Sequence, residues 1–336
     1  MDAFARPLEN LRLSVTDRCN LRCQYCMPEK EYSWLPQPSV LTFEEIERVL
    51  GIFLRLGVKK VRLTGGEPLL RRDLEVLVAM VARQTGLREL AMTTNGVLLA
   101  DKAELLRKAG LQRLTVSLDT LDAATFRLLA RRDDLDKVIG GIDAARAAGF
   151  VDLKLDTVAI AGVNDHEVPA LLAFAKERSA EIRFIEYMDV GGATQWKPES
   201  VVSRAQLLAS IERVHGTVTP MPRDSAPAER FSLPDGTVFG VIASVTQPFC
   251  ATCDRSRLTA DGMWLKCLYA TTGTDLRGLL RTGVSDAEIA GVITTEWHAR
   301  RDRGAEVRAG IVDRKPLVER DELRATPHLE MHTRGG

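Results

Sequence analysis

Between residues 10 and 190 the chain alternates short apolar runs with longer stretches whose apolar residues return at i, i+3, i+4 and i+7. The short runs, at 11–15, 60–63, 89–92, 113–117, 153–160 and 182–187, read as strands. The stretches between them, FEEIERVLGIFLRLG, DLEVLVAMVARQTG, DKAELLRKAG, LDKVIGGIDAARAAG and VPALLAFAKERSA, read as amphipathic helices. Glycine after a cationic last turn, as at Lys108–Gly110 and Arg146–Gly149, is ordinary helix-stop chemistry. Strand–helix alternation with short links predicts parallel strands joined by right-handed crossovers. Six such units predict an α/β fold, an open or partial (β/α)6 barrel rather than a closed eight-fold one. The working end is expected at the carboxyl edge of the strands, where the GGEP run, TTNG, SLD and Met188-Asp189 fall.

Past residue 190 the pattern changes. VGGATQWKP is a turn-rich link, KPESVVSRAQLLASIERVHG holds one more helix, and PMPRDSAPAER reads as a loop. ERFSLPDGTVFGVIASV reads as a hairpin, because Asp235-Gly236 sits between β-rich runs. These features predict a core barrel over 1–225 and a C-terminal extension over 226–336.

With 45% hydrophobic residues the chain can bury a sizeable core, and its 46 basic and 46 acidic residues cancel. Zero net charge argues against a wholesale nucleic-acid binder and leaves room for a local anion site. No run approaches the roughly 18 apolar residues of a membrane span. The start, MDAFARPLENL, has no apolar core of a secretory signal. The expectation is a cytoplasmic protein with no membrane and no nucleic-acid partner.

The six cysteines fall into two triplets, Cys19, Cys23, Cys26 and Cys250, Cys253, Cys267, spaced Cys-x3-Cys-x2-Cys and Cys-x2-Cys-x13-Cys. Disulfides do not suit a reducing compartment. Structural zinc wants four ligands, and none of the five histidines lies within 30 residues of either triplet. Three thiolates on a four-iron cluster leave one iron free for a non-protein ligand, a use that accounts for every cysteine.

Cys-x3-Cys-x2-Cys with Tyr25 before its third cysteine resembles the signature of radical S-adenosylmethionine enzymes, and Thr64-Gly65-Gly66-Glu67-Pro68 resembles their GGEP motif. LRLSVTDRCNLRCQYCMP, KKVRLTGGEPLLRRDL, TTNG, SLD, IRFIEYMDVG, CATCDRSRLTADG and the terminal Gly335-Gly336 together resemble the GTP 3′,8-cyclase (MoaA) family of molybdenum cofactor biosynthesis, in order and over nearly the whole chain.

The resemblance implies a 4Fe–4S cluster on Cys19, Cys23 and Cys26 that binds and cleaves S-adenosylmethionine, with Tyr25, Gly65, Gly66, Ser117 and Met188 lining the cofactor's pocket. It implies a second 4Fe–4S cluster on Cys250, Cys253 and Cys267 whose open iron takes the guanine of GTP. Arg12, Arg62, Thr93, Lys154, Arg255, Ser256 and Arg257 match substrate-side positions, with Arg12, Arg62, Arg255 and Arg257 at the phosphates, and Arg183 lies on a barrel strand nearby. The product would be 3′,8-cyclo-7,8-dihydro-GTP, passed to a cyclic pyranopterin monophosphate synthase. Electrons would come from a donor such as flavodoxin or ferredoxin, and the family implies a homodimer. The diglycine end is expected to thread into the barrel. One departure is Asp156, where many relatives carry asparagine.

Two other readings predict different features. A two-cluster radical enzyme acting on a peptide predicts more cysteines and a peptide-recognition module. A zinc-stabilised scaffold predicts four-coordinate sites and leaves GGEP and the arginines unexplained.

Overall fold

The computed structural model describes residues 1–29, 31–223 and 225–335. Six strands pair in parallel and in chain order: β1 (Asn10–Ser14), β2 (Lys60–Thr64), β3 (Glu89–Thr94), β4 (Arg113–Ser117), β5 (Lys154–Ala159) and β6 (Glu181–Glu186). Each reads apolar toward the helices and polar toward the interior. In β1, Leu11 and Leu13 are buried in the core while Arg12 points the other way. The crossovers carry α1 (Phe43–Arg55), α2 (Leu74–Ala82), α3 (Ala103–Lys108), α4 (Ala123–Ala130), α5 (Leu135–Ala147) and α6 (Val168–Glu177).

α1 begins at a capping box in which the Thr42 hydroxyl accepts from Glu45 N and the Glu45 carboxylate accepts from Thr42 N. It buries Ile46, Val49, Leu50 and Phe53 on one stripe. The crossover from β4 to β5 has two helices where the periodicity predicts one. α4 is eight residues long, capped by Asp122 on Thr125 N, and buries only Phe126, Leu129 and Ala130. That is too short a window for a clear 3.6-residue period.

After α7 (Arg204–His215) and the short β7 (Thr219–Pro220), the expected hairpin forms as β8 (Glu229–Ser232) and β9 (Val238–Ile242). β9 then joins the barrel edge parallel to β6. β10 (Arg255–Leu258) covers the other edge, parallel to β1, and β11 (Met263–Leu265) and β12 (Thr274–Asp275) follow antiparallel. The extension therefore continues the same sheet at both open edges, which leaves β1 and β6 with partners on each side. The chain ends in α8 (Leu276–Arg281), α9 (Asp286–His298), α10 (Gly304–Ala309), α11 (Arg320–Ala325) and α12 (Met331–Arg334). No helix among the described residues is long and apolar enough to cross a membrane.

Candidate active site

The β1–β10 pair sets the geometry of the site. The first cysteine triplet follows β1, whereas Cys250 and Cys253 precede β10. Because these strands are parallel, the triplets lie beyond opposite ends of the pair, separated by five residues of strand or roughly 16 Å. Cys267 follows β11, which runs antiparallel to β10 and so returns to the amino edge beside Cys250 and Cys253. All six cysteines are free and line one cavity of about 340 Å³. The carboxyl edge, where the sequence places the working end, holds only the first triplet.

At that carboxyl edge the cysteine loop docks on the GGEP turn. Gly66 N donates to Thr16 O at 2.9 Å and Glu67 N to Arg18 O at 2.8 Å. A Cβ on Gly65 would stand 2.3 Å from Thr16 O, and one on Gly66 the same distance from Arg18 O. Both glycines line the cavity, yet their missing side chains make room for the cysteine loop's own backbone. Gly66→Ala is therefore expected to cost about 3 kcal/mol by overpacking against backbone that cannot yield. Thermal unfolding of the metal-free protein checks it, and an unchanged melting temperature would refute the close approach.

Glu67 is buried beneath the loop. Its carboxylate accepts from Thr94 Oγ1, Asn95 N and Leu69 N at 2.7, 2.7 and 2.9 Å, while burial pushes its pKa up to about 7. Tyr25 OH donates to Asp119 Oδ2 at 2.7 Å, which sets the ring between the second and third cysteines. Burial raises Asp119 to about 6 and Cys19 to about 11. Ser117 and Met188 also face the cavity.

Between the two thiol sites lies a band of arginines. Arg257, Arg12 and Arg62 stand level on β10, β1 and β2. Burial first, then Arg255 and Arg334, pulls Arg257 down to about 9. Burial first, then Arg257, Arg62 and Arg255, pulls Arg12 well below its usual value. Buried like charges in this density call for an anion.

Arg12, Thr93, Arg255 and Arg257 line the cavity, with Arg183 and Asp156. Arg62, Lys154 and Ser256 do not line it. Arg62 donates to Thr115 Oγ1 at 3.0 Å and Thr93 Oγ1 at 3.3 Å, and Lys154 is paired with Glu181. Ser256 alternates with Arg255 and Arg257 and so faces away from the cavity, buried. Asp156 takes Arg183 in a two-pronged pair, Nε–Oδ1 2.6 Å and Nη2–Oδ2 2.9 Å. The acidic departure is neutralised by the strand next to it.

The donor set fits iron–sulfur ligation: each triplet offers three free thiols on the cavity wall, without a disulfide partner. Among the described residues no three histidine, cysteine or acidic groups close on a single-ion site.

The comparisons agree with this geometry. Residues 13–175 match the model of the radical SAM superfamily, and residues 180–306 match that of Molybdenum Cofactor Synthesis C. The chain is 54% identical over 340 residues to GTP 3′,8-cyclase 1 of Mycobacterium tuberculosis (strain CDC 1551 / Oshkosh), covering 100% of this chain and 95% of that protein. The chain belongs to the GTP 3′,8-cyclase family. It is also 50% identical over 344 residues to the GTP 3′,8-cyclase of Acidothermus cellulolyticus, covering 98% and 95% of the two chains. In fold it is similar to Streptococcus suis SuiB bound to S-adenosylmethionine, with a TM-score of 0.60 at 17% identity over 93% of this chain and 72% of that one. Iron–sulfur chemistry and S-adenosylmethionine come with the radical SAM superfamily.

Within this cyclase architecture the tail reaches the site. Gly335 packs so closely on the ends of β1 and β2 that a Cβ would stand 2.0 Å from Thr64 Oγ1. Arg257 Nη1 donates to the carbonyls of Gly335 and Arg334, and Met331 and His332 line the cavity. The expected threading holds for Gly335, while Gly336 lies outside the described residues. Burial takes His332 down to about 4.

Several site residues carry no sequence signal of their own. Arg6 Nη1 donates to Cys250 O, and Arg300 Nη1 to Cys253 O, both at 2.8 Å. These residues lie outside any motif, and only the fold brings them to the cysteines.

Proposed function

We infer that this chain is a radical S-adenosylmethionine GTP 3′,8-cyclase, converting GTP to 3′,8-cyclo-7,8-dihydro-GTP in the first step of molybdenum cofactor biosynthesis. The observation that carries the reading is one cavity with a thiol triplet at each end and arginines between them. Cys19, Cys23 and Cys26 would hold a 4Fe–4S cluster that, with S-adenosylmethionine, supplies a carbon radical able to abstract hydrogen. Cys250, Cys253 and Cys267 would hold a second 4Fe–4S cluster and fix the guanine end of the substrate. Tyr25, Gly65, Gly66, Ser117 and Met188 line the cofactor's side.

Arg12, Arg255 and Arg257 neutralise the triphosphate by charge-assisted, forked hydrogen bonds. Thr93 borders the same space. Arg62, held by threonines, extends the positive field from behind, while Arg183 on the cavity wall is balanced by Asp156. Lys154 supports this wall through Glu181, and Ser256 serves only as the spacer that keeps two arginines on one face. With substrate anchored at both ends, ribose C3′ and guanine C8 are held in reach of one another. This is the positional contribution the chain itself makes.

The reading keeps the division into a 1–225 core and a 226–336 extension, the latter contributing β9 and β10, which cover the two barrel edges, and the second triplet. It also includes an electron donor such as flavodoxin or ferredoxin, a downstream cyclic pyranopterin monophosphate synthase, a homodimer and a cytoplasmic setting.

Anaerobic incubation of the reconstituted protein with S-adenosylmethionine, reductant and GTP, followed by mass spectrometry, tests it. The expected result is 5′-deoxyadenosine together with a product isomeric with GTP. Deoxyadenosine with untouched GTP would overturn the substrate, and neither product from iron-loaded protein would overturn the enzyme.

A further inference from the structure

The loop that bears Cys250 and Cys253 is gripped from behind by two buried arginines, and neither belongs to the arginine band of the cavity. Arg300 Nη1 donates to Cys253 O at 2.8 Å, and its Nη2 lies 3.7 Å from Cys253 Sγ. Arg6 Nη1 donates to Cys250 O and to Asp302 O, each at 2.8 Å. One carboxylate joins the pair: Asp2 Oδ2 sits 2.6 Å from Arg6 Nε and 3.5 Å from Arg300 Nη1, with its side chain fully buried. Trp297 completes the frame, donating through Nε1 to Arg6 O at 3.2 Å and lying under the Arg300 guanidinium at 4.5 Å.

The two cations share Asp2, and Arg300 Nε also faces Asp302 Oδ2 at 3.8 Å, beyond hydrogen-bond reach. Arg6 Nη2 and Arg300 Nε are buried and have no hydrogen-bond partner among the described residues. Arg255 also reaches Cys253 Sγ, at 3.7 Å, but from the cavity side, where substrate phosphate competes for it. Arg300 has no such competitor.

We propose that Arg300 is a positioning residue for the second thiol site, fixed by Asp2 and Arg6, which sets how firmly that site holds its iron–sulfur cluster and how easily the cluster is reduced. The inference rests on the two-cluster reading above. Hydrogen bonds and positive charge at ligating sulfur stabilise the reduced cluster, and outer-shell partners of ligands commonly change metal affinity 10–100-fold.

The test compares parent, Arg300→Met, Arg300→Lys and Asp2→Asn proteins, all anaerobically reconstituted. Iron release to a ferrous chelator is followed, and the midpoint of each cluster is read by electron paramagnetic resonance during redox titration. In Arg300→Met, half of the iron is expected to leave about 10–100-fold faster. One midpoint should move to more negative potential while the other stays. Arg300→Lys should restore the midpoint, since the charge returns, but not the release rate, since the fork does not. Asp2→Asn should speed release about tenfold.

Parent-like release and midpoints in Arg300→Met would overturn the proposal. If that variant does not fold, parent-like release in both Asp2→Asn and Arg300→Lys overturns it equally. A parent protein holding iron for only one cluster would instead overturn the two-cluster reading beneath it.

Discussion

Cys253→Ser is expected to keep about half of the reconstituted iron, the share of one of two four-iron clusters, and to lose cyclisation while still cleaving S-adenosylmethionine. A serine hydroxyl does not ionise as a thiol does. The Cys253 thiol is prepared to ionise: burial alone would raise it, but Arg255 and Arg300 bring it to about 7. Replacing it removes a ligand and leaves those two cations facing a neutral oxygen. The first triplet stands at the far end of β1 and is held by different bonds, through Gly66, Glu67 and Asn95, so its chemistry should survive. With guanine unanchored, the ribose is no longer placed. A misplacement of this kind costs roughly 100-fold or more in product formation. Iron analysis and quantitation of deoxyadenosine against the GTP-derived product decide the matter. Equal iron in variant and parent would sink the assignment of two separate clusters.

What was legible in the chain follows from how local each signal is. β1 to β6 were readable because each alternates or runs apolar within five or six residues, and their crossover helices mostly repeat an apolar stripe over two turns or more. The cysteine triplets were readable for the same reason, since their spacing is short. α9 had an unused signal: Ser285 and Glu288 form a capping box, and Ile289, Ile293 and Trp297 recur at four-residue steps. What could not be read was pairing over distance. Nothing near residue 255 says that β10 lies on β1, or that β9 closes the opposite edge beside β6. Asp156 shows the same limit. As a lone acid beside an anion site it looks adverse, and only the register of β5 with β6 supplies Arg183 as its counter-charge. Likewise the alternation that sends Arg255 and Arg257 into the cavity also turns Ser256 away, a consequence clear only once β10 is seen as a strand.

Arg257→Ala is expected to weaken GTP binding by about 1.5–3 kcal/mol, the scale of hydrogen bonds to a charged group, or roughly 10–150-fold in Kd. The guanidinium is buried among like charges, with Arg255 and Arg334 close enough to depress it to about 9. A phosphate relieves that repulsion, so binding gains from both the fork and the loss of strain among cations. Arg257 also donates to the carbonyls of Arg334 and Gly335, contacts that a phosphate would displace. The measured loss is thus a difference between a phosphate contact and a tail contact, which places it below the value for an arginine with no resting partner. Arg257→Lys retains the charge and loses the fork, so its affinity should fall between parent and Arg257→Ala. The same alanine variant should also free the tail, raising amide exchange over 331–335 in the absence of GTP. Anaerobic calorimetry with GTP and hydrogen exchange read the two effects separately. Unchanged affinity would remove Arg257 from the phosphate site, and unchanged exchange would show that packing of Gly335 against Ser14 and Thr64 holds the tail without it.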